Sequence, residues 1–377
     1  MLEFRLMKVL LVSPRDPDRP GKLRFLLGGE NTFTRSLLSR PPSGVKYVHY
    51  QRALQEKRIV YTGWREPFSC LMKTRIWPPD AGVLCFKLKD RFDLIHCHGY
   101  SLKLDSLDSP PVVLSDSSSN YLFLRDYLGW GDSRIRLGYV IRKFLVKKLD
   151  IYDPNLNLRE APLVVWSEFA KKIHLDLGAD PKKITVIPPG IEKAKYRKKE
   201  HREVNILFVG TWLERKGGLL LLRAYEVLKR KYPEIGLILV GQLPKKVSLP
   251  KDTRHWDFVP RQKLAEKIFP QADILVLVPP LAEGYGVAVL EAASYGIPAV
   301  VSSVYALPEI IKDRETGFVI DAGSLDQLLR RLEILIKNRN LREKMGQAAE
   351  KNFTKQFWIK NTNRKLLNLY QSVLKQR

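Results

Sequence analysis

Residues 273–296 read DILVLVPPLAEGYGVAVLEAASYG. The apolar run through Val278 stops at Pro279-Pro280, and a helical pattern begins after Gly286. A short apolar run, a glycine-broken loop and a helix together make one strand–loop–helix unit of a parallel sheet. Gly284 and Gly286, on either side of Tyr285, let the backbone turn tightly and approach a ligand closely. A helix starting there presents the amides of Gly286, Val287 and Ala288, and the positive end of its dipole, to a phosphate. Glu283 lies on the loop, and Glu291 just over one turn into the helix. Carboxylates accept hydrogen bonds from sugar hydroxyls, so the pattern suits a diphosphate held between two polyols. Spacing alone is met equally well by a loop charge and an exposed helix residue.

The same rhythm extends in both directions. Upstream, Asn205 to Gly210 (NILFVG) and Gly236 to Gly241 read as strands, with helices over 217–231 and 261–270. Downstream, Pro298 to Ser302 and Gly317 to Ile320 read as strands, and residues 325–375 as a charged helical tail. The first half repeats the pattern with strands at Lys8 to Ser13, Lys46 to Gln51, Phe92 to His98, Pro111 to Ser115, Leu163 to Ser167 and Ile184 to Ile187. Such alternation predicts an α/β chain with parallel sheets. At 377 residues two domains are expected. The break Pro188-Pro189-Gly190 and the polar stretch IEKAKYRKKEHREV place the boundary. The expected division is 1–190, 191–355 and a C-terminal helix over 356–377 that crosses back to the first domain.

A formal net charge of +25 points to an anionic partner. The excess is spread over both halves, which argues against a dedicated basic tail. Its charge content is compatible with a thermophile-type surface. Nucleic acid is not expected, because the basic residues do not gather around an aromatic platform or a recognition helix. Cys70, Cys85 and Cys97 are too scattered for a disulfide framework or a metal site. The N-terminal MLEFRLMKVLLVSPRDPD lacks the features of a secretory signal, and no stretch approaches a membrane span. A cytoplasmic protein, peripheral at most on the inner face of the membrane, is expected.

EGYGVAVLEAASYGIPAV, with seven residues between its two glutamates, closely resembles the signature of the retaining glycosyltransferases of family 4. LPEIIKDRETGFVI (307–320), FVGTWLERKGGLLLLRAYEVL, DFVPRQKLAEKIFPQADILVLVP and VIPPGIE continue the resemblance. GGENTFTRSL and HCH carry it less specifically into the first half. The resemblance implies a GT-B arrangement of two Rossmann-like domains facing across a cleft: an N-terminal acceptor-binding domain and a C-terminal nucleotide-sugar-binding domain. It implies transfer of a hexose from a nucleotide-diphosphate sugar to an acceptor hydroxyl, with no cofactor and no catalytic metal. By the same resemblance Glu291 binds the donor ribose, Glu283 contacts the transferred sugar, and Lys216 neutralises the leaving diphosphate. Gly28 and Gly29 open the helix of the first domain near the donor phosphate or acceptor, and His98 lies near the transferred sugar. Where the family usually has arginine directly after the strand glycine, this chain has Thr211, so Arg215 becomes the candidate phosphate ligand.

Arg134 to Lys148 form a basic helical block with Tyr139, Phe144 and nearby Trp130. It is the candidate surface for an anionic membrane or for a glycan or lipid-linked acceptor. A dehydrogenase would carry a GxGxxG fingerprint after its first strand, and none is present. The alternatives are a non-hydrolysing-type sugar-nucleotide epimerase of the same fold, or a catalytically weak nucleotide-sugar-binding protein.

Overall fold

The computed structural model describes residues 6–13, 29–62, 83–105, 109–118, 124–126, 129–156, 161–196 and 202–376. Gly28 and Cys70 lie outside them. The described residues up to Ser13, Phe33–Gly190 and those from Ile359 onward form a first unit, and Ile191–Trp358 together with residues 29–32 form a second.

In the first unit the apolar runs become the parallel strands β1 (Met7–Val12), β2 (Val45–His49), β5 (Leu94–His98), β7 (Val112–Asp116), β8 (Leu163–Val165) and β9 (Ile184–Val186). Their order is β2-β1-β5-β7-β8-β9. The strand expected to reach Gln51 ends at His49, and Tyr50 begins helix α2 (Tyr50–Gln55), following α1 (Gly29–Ser39). A second sheet is formed by β3 (Ile59–Tyr61), β4 (Val83–Leu88) and β6 (Ser101–Leu104). Helix α3 (Asp132–Lys148) packs Val146 against Val83 and Cys85 of β4 and against Ile151. Helix α4 (Glu168–Asp176) is capped by Ser167, whose hydroxyl accepts from the Ala170 amide. That bond gives Ser167 a structural role.

In the second unit β10 (Val204–Trp212), β11 (Ile235–Gln242), β12 (Thr253–Trp256), β13 (Ile274–Leu277), β14 (Ala299–Ser302) and β15 (Gly317–Ile320) are all parallel. Their order is β12-β11-β10-β13-β14-β15. Numbered within the unit this is 3-2-1-4-5-6, the doubly wound order, whose switch point falls between β10 and β13. Helices α5 (Gly218–Lys231), α6 (Val287–Ser294), α7 (Leu325–Lys337) and α8 (Arg339–Gln356) belong to this unit. The segment expected as one helix over 261–270 is instead an α turn at Arg261–Lys263, a π turn at Leu264–Ile268 and a 3₁₀ turn at Phe269–Gln271. Pro270 has no amide hydrogen to continue an α ladder.

The last helix, α9 (Ile359–Lys375), belongs to the first unit. Its Tyr370 hydroxyl lies 2.5 Å from His96 Nδ1 and 3.0 Å from the Tyr47 hydroxyl. Asn363 donates to the Arg40 carbonyl at 2.6 Å, and Thr362 to the Pro188 carbonyl at 2.9 Å. A Cβ on Gly190 would stand 2.5 Å from Thr362 Oγ1, so this glycine serves the docking of α9.

Candidate donor site

The loops that leave β10 and β13 meet at the switch point of the second sheet. Gly217 makes this meeting tight. Its φ is +82°, and a Cβ there would stand 1.9 Å from the Val278 carbonyl oxygen at the end of β13. Gly210 clears the space for Lys216, since a Cβ on it would come within 2.9 Å of Lys216 Cγ. The Lys216 amide bonds the Trp212 carbonyl at 3.1 Å. Seated in this way, the Lys216 ammonium pairs with the Glu283 carboxylate, 67 residues away in sequence. Burial draws the lysine below its ordinary pKa, and Glu283 opposes that shift. A buried, paired ammonium is a preorganised cation.

Helix α6 begins beside this pair. Gly286 is its N-cap in the left-handed region, at φ +81°. The amides of Val287 and Ala288 fall in the first turn, where a helix has no carbonyl of its own to offer them. The Tyr285 ring is buried, and its hydroxyl is pushed up by that burial and by Glu309. Of Tyr285, only the backbone therefore suits a ligand contact. Glu291 is buried on α6 and pairs with Arg261. Sequence pattern does not single out Arg261. Its signal was weak: it follows β12, whose residues TRHW are half-buried and do not read as a strand. Thr211 is the penultimate residue of β10, and Arg215 sits over the Trp212 ring at 5.3 Å.

Lys216 follows β10, Arg261 follows β12 and Glu283 follows β13, all in one parallel sheet. Ligands of open α/β sheets bind beyond the strand C-termini at such a switch point. The sequence profile of the family "Glycosyl transferases group 1" matches residues 191–352. That match takes in nearly all of the second unit.

An uncharacterized glycosyltransferase of Haemophilus influenzae is 28% identical over 204 residues, covering 52% of this chain and 55% of that protein. The matched stretch thus spans about half the length of the curated relative. Sucrose-phosphate synthase of Thermosynechococcus elongatus superposes with a TM-score of 0.65 at 13% identity, covering 99% of this chain and 100% of that chain. Anabaena Alr3699/HepE in complex with UDP and glucose gives 0.64 at 12% identity, covering 97% and 100%. Both likenesses are of fold. They place the chain in the GT-B class, with two Rossmann-like α/β domains, as the resemblance implied.

In the first unit, His98 ends β5. Its ring stacks on Trp166 at 4.8 Å, and Phe33 meets it edge-on at 5.8 Å. Ser115 Oγ lies 2.8 Å from His98 Nδ1 and 2.8 Å from His96 Nε2, so one hydroxyl orients both rings. Gly29 begins α1. Among the described residues no group of three His, Cys, Asp or Glu side chains is placed to hold a metal ion.

Burial lowers His96 and His98 to about 3 and His174 to about 4. In the unfolded chain imidazoles protonate near about 6.5. Between these values the unfolded state binds more protons, so stability falls as pH drops from about 6.5 towards 4. Each histidine should remove about 1 kcal/mol over the first of those pH units. Urea midpoints measured at neutral and mildly acidic pH check this, and an unchanged midpoint would rule out neutral burial.

Proposed function

We propose that the chain is a retaining glycosyltransferase of family 4 that moves a hexose from a nucleotide-diphosphate sugar to an acceptor hydroxyl. The acceptor class we favour is a glycan or a lipid-linked sugar. The observation that carries the reading is the Lys216–Glu283 pair at the sheet's switch point, beside the amide-bearing end of α6.

In this reading the Val287 and Ala288 amides and Lys216 receive the diphosphate, and Arg215 adds charge where Thr211 supplies none. Glu291 accepts the ribose hydroxyls, exchanging part of its pairing with Arg261 for them. Glu283 holds the hexose and keeps Lys216 in place. The bond from the anomeric carbon to the β-phosphate oxygen breaks, and the acceptor oxygen bonds that carbon from the same face. The acceptor proton passes to the leaving phosphate oxygen. Charge grows on the leaving group as the bond breaks, so a fixed cation favours the transition state over the ground state. His98 and Gly29 are assigned to the sugar and acceptor side.

A thermal-shift screen of nucleotides and nucleotide sugars tests the donor assignment, because a specific ligand stabilises the native state. Acceptor-dependent nucleotide release then tests transfer. Stabilisation by a nucleotide sugar with no such release would mark a binding protein instead. Glu291→Gln should weaken donor binding by about tenfold or more, the scale of a lost charge-assisted hydrogen bond. Calorimetry measures this, and unchanged affinity would remove Glu291 from the ribose role.

A further inference from the structure

Helix α3 carries an apolar stripe that no part of the described structure covers. Leu137, Val140 and Phe144 are 63%, 66% and 63% exposed. They are three of the ten large apolar side chains exposed among the described residues, and all three lie on this one helix. Their spacing, i, i+3 and i+7, puts them in a single line along the helix. At about 100° per residue, Arg136, Lys143 and Lys147 fall on one side of that line, and Arg134 and Lys148 on the other. All five are exposed, and Asp132 is the helix's one acidic residue. Lys148 lies over the Phe144 ring at 5.7 Å, and Arg134 over Trp130 at 4.1 Å. The opposite face is fixed to the unit by Ile135, Gly138, Arg142 and Val146.

We propose that this face of α3 docks on an anionic lipid surface, with Leu137, Val140 and Phe144 entering the acyl boundary and the flanking cations at headgroup level. A helix lying flat in the interface needs apolar residues in the middle and charge on both flanks, the order found here. The chain's charge of +25 complements an anionic leaflet. It also disfavours the same face as a contact between two copies of this chain. A nucleic acid would satisfy the cations and leave Leu137 and Phe144 without a purpose. Among the described residues no helix is long and apolar enough to cross a membrane, so the contact proposed is peripheral. The inference does not depend on glycosyl transfer.

The test is co-sedimentation of the full chain with vesicles of phosphatidylcholine containing phosphatidylglycerol, against phosphatidylcholine alone. Three variants are compared with the parent: Leu137→Gln/Val140→Gln/Phe144→Gln, Lys143→Gln/Lys147→Gln/Lys148→Gln, and a charge-matched control, Lys344→Gln/Lys351→Gln/Lys355→Gln on α8. All nine positions are exposed, and matching thermal midpoints confirm folding. The parent should pellet with the anionic vesicles and much less with the neutral ones. The α3 lysine variant should lose affinity by on the order of a hundredfold. The apolar variant should lose at least about tenfold, and the α8 control far less than either. Equal pelleting with both vesicles, no pelleting, an unaffected apolar variant, or a control as impaired as the α3 lysine variant would each overturn the proposal.

Discussion

Lys216→Ala is expected to lower turnover about a hundred- to a thousandfold, the usual loss when one preorganised charge donor is removed from a transition state. Donor affinity should change much less, because the cation acts mainly on charge that appears as the sugar leaves. Two glycines fix this lysine in advance: Gly210 clears its stem and Gly217 abuts the Val278 carbonyl. Product formation under saturating donor, with KM determined in parallel, separates the two effects. The variant also leaves Glu283 buried without its ammonium, so the thermal midpoint belongs in the same measurement. A lower midpoint with normal turnover per folded molecule would assign the pair to stability alone.

Asp153→Ala should destabilise the first unit by about 3–5 kcal/mol, the range found when one partner of a buried ion pair is removed. Arg142 and Asp153 have side chains 1% and 0% exposed. Arg142 Nε bonds Asp153 Oδ2 at 2.9 Å, and Ser101 donates to the same oxygen at 2.8 Å. The other oxygen accepts from the Asn155 and Leu156 amides at 2.9 and 3.1 Å. Alanine strands a guanidinium and three further donors in one step. Replacing both charges, as Arg142→Met/Asp153→Leu, should recover only part of the loss, because Ser101 and the two amides stay without an acceptor. Urea unfolding followed by circular dichroism reports the difference. An Asp153→Ala midpoint equal to the parent's would contradict the burial of this pair.

The central strands were legible because buried parallel strands are continuous apolar runs. KVLLV, LIHCH, NILFV and DILVL need no knowledge of their neighbours to be read. The strands that escaped sit elsewhere. β12 is an edge strand, and its residues Thr253 to Trp256 are all half-buried, so no apolar run forms. The sheet of β3, β4 and β6 pairs short segments far apart in the chain, and local pattern does not show such pairing. In the site, glycines and glutamates were visible because backbone geometry and chemistry restrict them to few residue types. Pairings were not visible. Lys216 finds Glu283, and Glu291 finds Arg261, only once separate strands bring their loops to one sheet edge. Arg142 read as one more surface cation of a basic helix, and only the fold shows it turned inward.

Helix α9 bears on the order in which this protein matures. The His96 ring, in the middle strand region of the first unit, is held by Tyr370, 274 residues later in the chain. A ribosome makes the early strands first, and domains generally fold in the order of synthesis. Here the first unit waits for a segment made after Ile191–Trp358, while that second unit has the pieces it needs sooner. The second unit should therefore be the first to resist protease on a nascent chain, and a stop codon placed just before Ile359 should damage the first unit.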